Sequence, residues 1–382
     1  MRVVYVAKLP PSRSGVARYA DHFVLVLRRL GQVFVVQTGN EAEETSHTLR
    51  IVQVVASVRH ALRRDPDLIV FEISGSALAE LFAAAWCILF RRRRTFAIWI
   101  TVHDAPALTG GLFWTGLLRR RGLRRVAAFL SEHLGSRIER WVLAEADIVV
   151  CLSSVGARAL EHAYALDRKV QTIHFVADVA SEATSRRQIF LPGPIQYEAA
   201  NEVLCAIAAT DSDFDILMGF CECGTQTALE AQAASLGVSA RLAFAGFLDQ
   251  TDLVEAYRSS LVVIHWYARS DRRRGYANSA ACSGPAVDAI AAGSALVTNA
   301  ARGAGEYLAE SEAAYDLAES HESLGQVLTV LLCSPGTAEE LGARALHYAN
   351  RTLSVSAVAE EVRSRLEAAV PGLLARPVST FA

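Results

Sequence analysis

Short runs rich in Val, Ile and Leu alternate with segments whose apolar residues recur at helical spacing, and this alternation confines the chain to an α/β fold. A first series of runs covers Val3–Ala7, Val33–Thr38, Leu68–Phe71, Phe96–Val102, Asp147–Cys151 and Val170–Phe175. A second covers Gln188–Leu191, Phe214–Met218, Arg241–Ala245, Leu261–His265, Ala295–Thr298 and Ala313–Leu317. Near-continuous apolar runs of this length suit strands covered on both faces of a parallel sheet. The intervening segments, such as Leu78–Phe90, Gly156–Tyr164, Ala199–Ala209 and Thr225–Leu236, read as helices. Strand, helix, strand repeated in two series predicts two Rossmann-like doubly wound domains.

A length of 382 residues fits two domains. Periodicity lapses in the polar stretch 178–187, which sets the expected domains at 1–178 and 179–345. The pattern Thr337–Ala369 reads as two helices, and 346–382 is expected to pack back toward the first domain. Ligands of doubly wound sheets bind beyond the carboxyl ends of the strands, so the two domains are expected to face a cleft.

Composition excludes several classes. With 52% hydrophobic and 20% charged residues, the chain has material for two cores and lacks the signature of disorder. A net charge of -2 gives no electrostatic basis for a nucleic-acid partner. The seven cysteines are scattered through apolar runs, and the one close pair, Cys221 and Cys223, has no nearby second pair to complete a zinc site, so no metal site is expected. Met1-Arg2-Val3 leads directly into a strand-like run, and Ala77–Phe90 is too short to span a bilayer, so a cytoplasmic location is expected.

The candidate chemistry lies where strands end. After the first run comes Pro10-Pro11-Ser12-Arg13-Ser14-Gly15, where Gly15 opens a helix whose free amides attract a phosphate or hydroxyl. His103-Asp104 leaves the fourth run, and His103 can hydrogen-bond a sugar. Glu72 holds the same place after the third run and could orient an acceptor hydroxyl. Cys282–Thr298 opens with Ser283-Gly284-Pro285, whose amides could hold a diphosphate, and Asp288 follows one turn later to accept from ribose hydroxyls. Arg302 and Glu306 stand in a loop after the strand ending at Thr298, a position that favours a role in the cleft. Asp211-Ser212-Asp213 reads as a solvated turn before a strand. Between Arg91 and Arg140 eleven Arg stand against three acids, a basic surface suited either to solvated helix ends or to an anionic bilayer or phosphorylated acceptor.

Taken in order, these stretches resemble the retaining glycosyltransferases of family four, whose fold is GT-B. The Pro-Pro-x-x-Ser-Gly-x-x-x-Tyr opening at Pro10–Tyr19, Thr101–Asp104, Ala146–Ser153, Phe244–Phe247 and Cys282–Thr298 are the segments that carry the likeness. The resemblance implies transfer of a sugar from a nucleotide-diphosphate donor of unidentified base to a small-molecule or lipid-linked acceptor, with retention and without a cofactor or metal. It places Ser283, Gly284 and an Arg such as Arg274 on the diphosphate, Asp288 on the ribose, and Gly246-Phe247 beside the nucleobase. His103 would hold the donor sugar, with Gly15 and Glu72 on the acceptor side. The segment Leu191–Ala199 departs from the family by lacking its Arg and Lys, and Ala280 stands where the first Glu of a paired motif is expected. Those departures raise one rival, a non-catalytic homologue acting as scaffold; a second rival, an isomerase or epimerase of sugar nucleotides, shares the fold.

Overall fold

The computed structural model describes residues 1–375, except 13, 39–46, 75–77, 92–95, 104–134, 167–169, 182–187, 211, 268–281, 300–304 and 318–322. The chain forms two compact units, Met1–Val176 with Val355–Ala382, and Ala177–Ser279 with Ser283–Ser354. Each holds one six-stranded sheet in which every strand pair is parallel.

The first unit contains β1 (Arg2–Ala7), α1 (Gly15–Leu30), β2 (Gln32–Gln37), α2 (His47–Ala61), β3 (Leu68–Ile73), α3 (Leu78–Phe90) and β4 (Ala97–Val102). It continues with α4 (Ser136–Glu145), β5 (Ile148–Cys151), α5 (Ser154–Tyr164) and β6 (Val170–Thr172). Its strand order is β2-β1-β3-β4-β5-β6. Strands β3 and β4 are buried at every position, as central strands covered on both faces must be. The sixth strand is shorter than the apolar run predicts, because after Ile173, whose amide still donates to the Cys151 carbonyl at 3.2 Å, the chain turns to other partners: the His174 amide donates to the Glu361 carboxylate at 3.0 Å.

The second unit contains β7 (Gln188–Leu191), α6 (Tyr197–Ala208), β8 (Asp215–Met218), α7 (Cys223–Ser235), β9 (Leu242–Phe244), α8 (Gln250–Arg258) and β10 (Ser260–His265). Then come α9 (Gly284–Ala291), β11 (Ala295–Thr298), α10 (Gly305–Ser311), β12 (Ala314–Asp316), α11 (Leu324–Cys333) and α12 (Pro335–Thr352). The order β12-β11-β10-β7-β8-β9 is the dinucleotide-fold order read from the other edge. Its core gathers Ile189, Val203, Ile216, Val262, Ile264 and Val297 from strands and helix.

The last helix, α13 (Val355–Ala369), belongs to the first unit and packs on α1. The chain re-enters that unit at Val355 rather than at residue 346, because α12 buries Ala338, Ala345 and Ala349 within the second unit. Glu361 pins α13 in place: one carboxylate oxygen accepts from the His174 amide at 3.0 Å and meets its Nδ1 at 2.9 Å. Burial pushes the Glu361 carboxyl upward, but the bonds from His174 outweigh it and its pKa lies below the ordinary glutamate value. A depressed carboxyl pKa contributes stability that is present above the unfolded value and lost as pH falls through the folded one. Glu361→Gln is therefore expected to lower stability at pH 7 by about 1 kcal/mol and to flatten its fall below about pH 4.5, read by urea denaturation across pH.

Candidate functional site

In a doubly wound sheet, the point where strand order reverses opens a crevice at the carboxyl ends of the strands. In the first unit this point lies between β1 and β3, and the polar groups collect there. Glu72, the penultimate residue of β3, has a side chain with 0% exposure. Its Oε1 accepts from the Tyr5 hydroxyl at 3.1 Å and from Thr101 Oγ1 at 3.2 Å. Thr101 in turn receives the Trp99 indole N–H at 3.0 Å. Its Oε2 meets His103 Nε2 at 2.7 Å, and the His103 side chain is 8% exposed. A carboxylate accepts only, so His103 carries a proton on Nε2 and presents Nδ1 and the ring edge elsewhere.

Three protein groups thus surround the Glu72 carboxylate, and its contact with Nε2 fixes the orientation of the His103 ring. Tyr19, from the first turns of α1, packs edge-on against His103 with ring centroids 4.9 Å apart. Burial, reinforced by the Glu72 charge, raises its pKa well above the ordinary tyrosine value, and its hydroxyl has no hydrogen-bond partner among the described residues. Gly15 is exposed at the start of α1, where Ser14 caps the helix by accepting from the Ala17 amide at 3.1 Å. Space around Gly15 is open, so no neighbouring atom dictates glycine there.

In the second unit the reversal lies between β7 and β10. His265 ends β10, and its Nδ1 stands 3.3 Å from the Ser283 hydroxyl, the N-cap of α9. Although part of the residue reaches solvent, protein surrounds the imidazole, and this burial lowers its pKa to about 4. His265 is thus neutral at neutral pH, and sequence reading placed it at the end of a strand without assigning it a role. Ser283 Oγ also accepts from the Ala286 amide at 3.4 Å, which leaves Gly284 and the first turn of α9 as the amide source. Asp288 follows on the same helix, half-buried. Asn299, just after β11, bonds both the amide (2.9 Å) and the carbonyl (2.8 Å) of Tyr267 and so ties the ends of β10 and β11 together.

Next along the same edge, the loop after β7 is zipped to the loop after β8: the Ile195 amide donates to the Phe220 carbonyl at 2.8 Å. A side chain at Gly193 would come within 2.7 Å of the Phe220 backbone, so close approach requires glycine. Gly246, after β9, has φ +65, the left-handed region that favours glycine. Phe247 and Phe220 are exposed, with ring centroids 6.4 Å apart and planes inclined at 66°. Glu306 lies in the first turn of α10, half-buried. Arg274 and Arg302 lie outside the described residues, as does most of the Arg-rich stretch 91–140; Arg91 itself pairs with Asp147 at 2.6 Å.

The family described as glycosyl transferase-like matches residues 224–364. No curated protein sequence matches the chain. Among solved structures, HepE from Anabaena in complex with UDP and glucose aligns over 96% of this chain and 100% of its own, at 14% identity and a TM-score of 0.64. The sucrose-phosphate synthase of Thermosynechococcus elongatus aligns over 97% and 100%, at 13% identity and 0.65. WaaG, a glycosyltransferase involved in lipopolysaccharide biosynthesis, aligns over 96% and 99%, at 14% and 0.57.

The Glu72 cluster generates a stability test. Glu72→Ala strands the Tyr5, Thr101 and His103 donors in a buried place, and is expected to cost about 3 kcal/mol in chemical denaturation. A loss under about 0.5 kcal/mol would mean that the network is not formed in solution. The two sheets, joined with the match over residues 224–364, place this chain in the two-domain fold of the GT-B glycosyltransferases.

Proposed function

We propose that the chain transfers a sugar from a nucleoside-diphosphate sugar to an acceptor hydroxyl, with retention at the anomeric carbon. The observation that carries this reading is the start of α9. It stands beside the strand-order reversal of the second sheet, inside the segment that matches the glycosyl transferase-like family. Amides of Gly284 and the first turn, with Ser283, would hold the diphosphate. Asp288 would accept from the ribose, and the exposed Phe247 beside Gly246 would flank the base. That HepE is solved with UDP and glucose favours a uracil base and a hexose.

The leaving diphosphate needs positive charge, and the segment after β7 offers none. Arg274 and Arg302 are the proposed source, with Glu306 holding the second of these loops. Departure of the diphosphate would be stabilised electrostatically, and one of its oxygens would take the acceptor proton on the face from which it leaves. His103, fixed by Glu72, would hold the donor sugar; Gly15 and Tyr19 would border the acceptor, a small or lipid-linked alcohol. Neither a metal nor a cofactor is part of this scheme.

A second reading, a non-catalytic scaffold, draws support from the missing cations in Leu191–Ala199. Calorimetry with UDP and other nucleoside diphosphates separates the two. The transferase should bind one of them, and Asp288→Ala should weaken it by about 1.5–3 kcal/mol, the range for a hydrogen bond to a charged group. His103→Ala should leave that affinity unchanged and lower the rate of donor hydrolysis. Absence of binding to every nucleoside diphosphate would favour the scaffold.

A further inference from the structure

His265 ends β10, and Trp266 and Tyr267 follow it directly. Trp266 turns to α6, where its indole N–H donates to Glu202 Oε2 at 2.9 Å. His265 and Tyr267, two residues apart, keep together instead, with ring centroids 5.0 Å apart and planes inclined at 74°. Alternation along an extended chain produces this division. The backbone is held there by Asn299, which is 4% exposed and bonds both the amide and the carbonyl of Tyr267. A ring on so fixed a segment can set the direction of a neighbouring group.

That neighbour is Ser283. At the start of α9, Pro285 has no N–H, the Ala286 amide is committed to Ser283 Oγ at 3.4 Å, and the Val287 amide donates to the Ser283 carbonyl at 3.1 Å. The Gly284 amide remains, and the Ser283 hydroxyl proton gains weight as a second donor toward a ligand. Because Oγ accepts from Ala286, its own proton is free to be donated, and His265 Nδ1 stands 3.3 Å away. His265 Nε2 makes no hydrogen bond among the described residues. A neutral imidazole has one accepting and one donating nitrogen. With hydrogen on Nε2, Nδ1 accepts from Ser283 and keeps the hydroxyl turned to protein. With hydrogen on Nδ1, the ring donates to Oγ, and the hydroxyl proton is released to an anion beside Gly284. A phosphate oxygen favours the second arrangement, since the bond it accepts is charge-assisted. The exchange moves one proton from Nε2 to Nδ1 by way of water and leaves the net charge unchanged.

We propose that His265 is a positioning residue for the donor diphosphate: by changing tautomer it turns the Ser283 hydroxyl from the protein to a phosphate oxygen at the start of α9. The proposal rests on the donor reading above and adds a residue that reaches the diphosphate only through Ser283. It is tested by calorimetry with UDP, or with whichever nucleoside diphosphate the full-length parent binds. His265→Leu should weaken binding about tenfold. His265→Asn, whose side-chain amide can accept or donate near the place of Nδ1, should stay within about threefold of the parent. Since His265 acts through Ser283, adding His265→Leu to Ser283→Ala should weaken binding by less than about twofold further. Heteronuclear NMR of the imidazole nitrogens in the parent needs no variant. It should find the His265 proton on Nε2 in the empty protein and on Nδ1 with the nucleotide bound, a change that a purely structural ring would not show. Thermal melting of each variant keeps a folding defect distinct, and if His265→Leu does not fold, the NMR result decides. Unchanged affinity in folded His265→Leu, independent losses in the double variant, or the same tautomer with and without nucleotide overturns this proposal and leaves the donor reading standing. A parent that binds no nucleoside diphosphate overturns both.

Discussion

Parallel strand pairing governs the rest of this molecule. Every pairing in the two sheets is parallel, so each return needs a crossover and both faces of each sheet must be covered. Strands such as Leu68–Ile73 and Ala97–Val102 consequently have no solvent face on which to display polar side chains. Chemistry is displaced to the carboxyl ends, and within those ends to the two places where strand order reverses. Glu72, His103, His265, Ser283 and Asp288 all occur at such ends or at the start of the helix that follows.

The two units treat an imidazole in opposite ways. His103 meets a buried carboxylate at 2.7 Å, and that carboxylate is itself anchored by Tyr5 and Thr101. Its ring is fixed in orientation and in tautomer. His265 has a hydroxyl neighbour instead of a carboxylate, and burial holds its pKa near 4. A neutral ring beside the start of α9 adds no charge there, so under the proposed reading the diphosphate depends on amides and on arginine. A buried carboxylate is costly without partners. Three donors around Glu72 remove much of that cost and convert it into a rigid mount for His103.

The fold was legible because strands buried on both faces leave long apolar runs, and all twelve appear in the sequence within a few residues of their bounds. Leu78–Phe90 matches its helix end to end. The helix Leu324–Cys333 was less visible, since its apolar residues crowd without a clear polar face. The candidate residues were legible by their place at strand ends, and their hydrogen-bond partners less so. Glu72 was placed at the right strand end, but its orientation depends on Tyr5 and Thr101, which sit on neighbouring strands and lie 67 and 29 residues away.

The central claim is that the carboxyl edge of the second sheet receives a nucleoside diphosphate. Amide hydrogen exchange of the full chain, with and without saturating UDP, tests it directly. The account predicts slowed exchange confined to the turns after β7, β9 and β10 and to the first turn of α9, with amides of Gly246, Phe247 and Gly284 among those affected. Protection that instead appears on the outer helices α7, α11 or α12, or that is absent although UDP binds, would contradict it.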